Sequence, residues 1–133
     1  MKKYALILSL VFSSPVLAVA ECTKKEAIEA ETTASTIKSW RELESHFSRY
    51  GHCDDGAIAE GYSESVSFLM ENKWSEFLNY KMDKPFIIFV KKHVDETWEI
   101  NRFNAVVKLA SENCNESKKK ICNAIIKGSN NGL

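Results

Sequence analysis

Apolar residues recur at helical spacing along most of the chain, and the interruptions fall where capping and turn residues cluster. From Ser39, a capping-box partner to Glu42, Trp40, Leu43, Phe47 and Tyr50 repeat at i, i+3, i+7 and i+10, which predicts a helix over 40–50 closed by a left-handed Gly51. Asp54 or Asp55 caps the next helix, residues 57–70. At about 100° per residue, Ile58, Tyr62, Val66, Leu69 and Met70 fall on one third of its circumference, with Glu60, Glu64, Ser67 and Glu71 opposite. Gly61 and Ser65 make a small-residue stripe at the edge of that face, where something packs close.

Trp74 lies off the stripe, so the pattern breaks near Asn72 and a short helix over 74–80 buries Trp74, Phe77 and Leu78. YKMDK reads as a loop, and Asp83 caps a helix that begins at Pro85 and carries FIIFV. Phe86 to Val90 alone could be a buried strand. Helix is preferred for the proline at its start, the basic Lys91, Lys92 and His93 at its end, and the lack of any strand to pair with. A helix from Trp98 or Asn101 to Glu112 and a last one over 117–127 complete the series, with GSNNGL a loose tail. Ahead of all of them, TKKEAIEAETTAST offers only Ala27, Ile28 and Ala30 to bury, so its helix should be short or frayed. The fold class is therefore all-α, a single compact bundle of about five to six helices.

The first twenty residues stand apart from this pattern. Lys2 and Lys3, the apolar Tyr4–Phe12 and an A-x-A at Ala18–Ala20 have the layout of a cleaved secretory leader, too short to span a bilayer. Cleavage is expected after Ala20, with residues 21–133 as one domain; a lipid anchor on Cys22 is disfavoured because Glu21 precedes it. Without the two leader lysines, sixteen basic side chains face eighteen acidic ones. That net −2 argues against nucleic acid or an anionic membrane as partner. The implied compartment is the periplasm.

Cys22, Cys53, Cys114 and Cys122 are an even set beyond the cleavage site, as an oxidising compartment allows. Of three possible pairings, Cys22–Cys53 and Cys114–Cys122 are favoured, the first tying the mature N-terminus to the central helix and the second closing an interhelical loop. Zinc would need paired ligands at shorter spacing; His46 and His52 meet only the loose limit, so no metal or cofactor is assigned. Candidate chemistry is thin. His52 beside Cys53 suggests a thiol and base, but sequence neighbours rarely align for proton transfer, and Glu60 with Glu64 sits on the polar face. No catalytic residue is assigned.

The run GHCDDGAIAEGYSESV, followed after SFLMENK by Trp74, with SWRELESHFSRY before it and KPFIIFVKKHVDETW after it, resembles the small periplasmic immunity proteins of type VI secretion amidase effectors, the Tai and resistance-associated Rap group. The resemblance spans Ser39 to Cys114. It implies an all-α homodimer, free of enzymatic activity, that binds a papain-like peptidoglycan amidase and plugs its active-site groove. A plug needs an exposed edge on a stapled scaffold. Asn79, Tyr80, Lys81, Met82, Asp83 and Lys84 suit that, with Asp95, Glu96 and Thr97 as second choice. A dimer could use Gly61 and Ser65, or Phe68 beside them. An acid-stress chaperone is the alternative, and an enzyme would need a pocket joining His52 or His93 to Glu60.

Overall fold

A computed structural model describes residues 20–130; the leader reading on residues 1–19 and the last three residues lie outside them. Seven α-helices form the described chain: α1 Lys24–Thr33, α2 Trp40–Tyr50, α3 Gly56–Asn72, α4 Trp74–Asn79, α5 Lys84–Lys92, α6 Ile100–Glu112 and α7 Lys119–Asn130. Short 3₁₀ turns at Ala34–Thr36, Gly51–Cys53 and Glu116–Lys118 link them, and the described residues contain no strand. The FIIFV run is helical, with Asp83 accepting from the Phe86 N–H and Pro85 in the first turn.

The centre is α3, flanked by α1, the Ala34–Thr36 turn, α4 and α6, while α5 lies against α2 and α7. Its predicted stripe is the core: Tyr62, Val66, Leu69 and Met70 are fully buried and Ile58 nearly so. The polar face is narrower than periodicity suggests, because Ser63, Ser65 and Ser67 are buried as well. Ser67, expected at the surface, accepts a bond from Arg102 Nη1 at 3.0 Å on α6. Small side chains let neighbours close in on that side. A Cβ on Gly61 would lie 2.9 Å from the Ala34 Cβ, and the Ser65 hydroxyl donates to the Ala34 carbonyl at 2.5 Å. The Gly61–Ser65 stripe thus packs inside the chain and is closed to a second copy.

Three sequence expectations are corrected. Gly51 is right-handed (φ −60°), so it is no left-handed stop; it is glycine for space, since a Cβ there would meet Phe47 Cδ2 at 2.7 Å. The left-handed glycine is Gly56, at φ +51°. The first helix is also well formed. Thr23 and Glu26 make a reciprocal capping box, and Ala30 and Ala34 are fully buried against α3. At the other end α7 runs on to Asn130 through a buried Gly128, where a loose tail was expected from Gly128 onward.

Disulfides join Cys22 to Cys53 and Cys114 to Cys122, with Cα atoms 4.9 and 6.4 Å apart. Their presence fits an oxidising compartment. No described helix is long and apolar enough to cross a membrane.

Candidate functional site

Two places could carry function: the Gly51–Gly56 corner, rich in chemical groups, and the exposed 79–84 turn. At the corner the two aspartates divide the work. Asp55 is the α3 N-cap and accepts from the Gly56 N–H at 2.8 Å. Asp54 turns inward, its Oδ2 accepting from Lys92 Nζ at 2.7 Å and meeting His93 Nε2 at 3.1 Å. Burial pushes the Asp54 carboxyl up, but the hydrogen bonds and charges of His93 and Lys92 outweigh it and hold the group below the ordinary carboxylate range.

On the far side of the imidazole, His93 Nδ1 lies 3.0 Å from Ser63 Oγ, whose hydrogen goes to Asp95 Oδ2 at 2.5 Å. Serine, histidine and aspartate are in line, but not as a nucleophile set. The serine proton is directed at Asp95 and away from the imidazole, and His93 and Ser63 are only 1% and 2% exposed. Trp98 Nε1 donates to the His93 carbonyl at 2.7 Å, tying the α5–α6 connection to the end of α5. This is an interior latch between the corner, α3 and α5.

Several further polar groups are similarly engaged. His52 Nε2 sits 3.4 Å from Glu26 Oε1, and the hydroxyl and N–H of Thr23 hold Glu26 down at about 2. Glu26, His52 and Cys53 bring ligand-type atoms within 4.8 Å, yet the Cys53 sulfur is bonded to Cys22, leaving only two donors. His46 is bound at both nitrogens, by Tyr62 Oη and Thr33 Oγ1 at 2.7 Å each, and burial lowers its pKa. Glu64 and Glu71 both hold Arg102, at 2.8 and 3.0 Å, so Glu64 is an α3–α6 tie and no partner to Glu60. Asn115 donates to the Leu78 carbonyl at 2.9 Å and caps the Glu116–Lys118 turn.

The 79–84 turn is built the other way round. Tyr80 and Met82 are partly buried against the core, and Tyr80 Oη donates to Glu44 Oε2 on α2 at 2.6 Å, with burial as the main force raising the phenol to about 12. Lys118, itself 4% exposed and lowered in pKa by burial, donates from Nζ to the Tyr80 carbonyl. Asp83 caps α5. Held this way, the turn leaves Asn79, Lys81, Asp83 and Lys84 exposed. The second-choice segment divides: Asp95 is engaged with Ser63 and Thr97, while Glu96 and Thr97 are exposed.

Trp40, Trp74 and Trp98 are all buried and donate to the carbonyls of Lys73, Asn113 and His93, so the indoles brace helix junctions and do not form an outer surface. Phe68 stays partly open, beneath the Lys38 ammonium at 4.0 Å from its ring centre. Sequence reasoning missed Ile88, one of the exposed large apolar residues at 59%. A five-residue apolar run on a helix must turn one member outward once Phe86, Phe89 and Val90 face the core, so the signal was present.

No family model matches this chain, and searches of curated proteins and of solved structures return no match.

Proposed function

We propose that the chain is a periplasmic immunity protein that binds a type VI secretion peptidoglycan amidase effector and blocks its active-site groove sterically, acting as a homodimer after a leader is removed at Ala20. The observation that carries this reading is the 79–84 turn: Lys118 holds the Tyr80 carbonyl, Glu44 holds the Tyr80 hydroxyl and Asp83 caps α5, while Asn79, Lys81 and Lys84 face outward. A segment that enters a cleft binds better when its ordering cost has been met beforehand. Disulfides suit the compartment where such an effector acts, and occlusion needs no reacting group on this chain. The resemblance of the 51–66 run to amidase immunity proteins points the same way.

Co-expression with a periplasm-directed amidase encoded beside it should rescue cells from lysis; lysis at the undefended rate would sink the proposal. A second reading, an acid-stress chaperone, draws on carboxylates held low by native partners, Glu26, Asp54 and Glu99. Protonating them in strong acid would loosen the fold and bare apolar surface, which an apolar dye at pH near 3 would report.

A further inference from the structure

Beside the 79–84 turn, Phe47 of α2 and Pro85, Ile88 and Phe89 of α5 line an apolar groove of about 520 Å³, with Gly51 at its edge. Lys84 and Lys92 also line it, eight residues apart on α5 and so about 12 Å apart along the axis, bracketing Ile88. Asp54 borders it too, but its carboxylate is 8% exposed, whereas Lys92, which pairs with it, is 56% exposed, so the outward members of the lining are the cations Lys84 and Lys92. The surroundings reinforce this. Residues 81–92 carry four lysines against the single Asp83, in a chain whose formal charge is zero.

Two features keep the groove open. Any side chain at position 51 would run into the Phe47 ring, and that ring is backed by Phe89 at 4.5 Å between centroids, leaving it little room to yield. Ile88 stands 59% exposed over the same floor. A second copy of the chain docking α5 against α5 would set lysines against lysines, and a small amphiphile with one carboxylate could not reach both ends. We propose that this groove takes an apolar side chain from a partner protein, presented on a segment with carboxylates on both sides of it. The inference rests on the reading of the chain as a binding protein, and not on the partner being an amidase.

The probe is an eight-residue blocked peptide with a Leu-Phe pair between two pairs of glutamates, titrated into the ¹⁵N-labelled protein and followed by amide shifts. Shifts should centre on Phe47, Lys84, Ile88 and Lys92. Ile88→Glu, at an exposed position, should weaken the peptide by about tenfold or more, as loss of a central anchor does. Lys84→Glu, or a peptide with lysines for glutamates, should weaken it by about fivefold at low salt. The idea is overturned by an absence of shifts at the groove, by equal binding of the lysine peptide, by saturation with decanoate in place of the peptide, or by self-association that Ile88→Glu abolishes. Failure of amidase rescue would remove the immunity reading alone.

Discussion

The Gly51–Gly56 corner and the 79–84 turn are both polar, yet they direct their bonds oppositely. At the corner, side chains that could do chemistry are engaged by the rest of the chain: Asp54 by His93 and Lys92, Cys53 by Cys22, His52 by Glu26. At the turn, neighbouring elements grip Tyr80 and Asp83 caps α5, leaving exposed side chains between the anchors. A cluster of reactive residue types can thus be wholly structural, while a plain loop can be the better-prepared surface.

The largest effect that separates the two regions comes from the staple at the corner. Cys22→Ala with Cys53→Ala opens a 31-residue separation and should cost up to about 3.7 kcal/mol in urea unfolding. Asp54→Ala strands the buried His93 ring and should cost about 3 kcal/mol, against about 1 kcal/mol for the capping Asp55→Ala. Equal losses at the two aspartates would erase the inward role given to Asp54.

At the turn, Tyr80→Phe and Asp83→Ala should each cost about 1 kcal/mol, because they remove a hydrogen bond and a cap. Asn79→Ala and Lys81→Ala should leave stability within about 0.5 kcal/mol while weakening amidase binding measured by calorimetry. Unchanged affinity in both would take the turn out of the contact. Tyr80, Met82 and Asp83 are therefore poor choices for mapping it, since each also supports the fold.

The smallest effect lies in pH. Glu26 has an ordinary pKa of 4.5 and a folded one of about 2, so it favours the folded state above 4.5 and loses that contribution as pH falls toward about 2. Glu26→Gln should lower the unfolding midpoint at pH 7 and flatten its fall between about 4.5 and about 2, so that variant and wild type converge in acid. A limb as steep as the wild type's would place the acid sensitivity elsewhere.

Much of the fold could be read from local pattern. The Ile58–Met70 stripe, the Ser39 and Asp83 caps and the break before Trp74 all act through residues within a few positions of one another. The Thr23–Glu26 capping box is equally local, but the expectation of a short or frayed helix there rested only on the poor apolar content around it. What could not be read is long-range. Asp54 meets His93 across 39 positions and Tyr80 meets Glu44 across 36, and nothing in periodicity couples them. Gly51 looked like a conformational glycine because its steric partner, Phe47, is visible only in three dimensions. The 79–84 loop was legible as exposed; its rigidity was not, since the groups that clamp it lie on α2 and in the turn before α7.

The short disulfide has a dynamic consequence. Cys114–Cys122 encloses Asn115 and Lys118, whose side chains hold the Leu78 and Tyr80 carbonyls. Reduction of that bond alone would let this loop breathe and release both carbonyls, so amide exchange should quicken around residues 78–82 while α3 stays protected. A bond drawn between two cysteines at one end of the chain would then set the mobility of a turn more than thirty residues upstream.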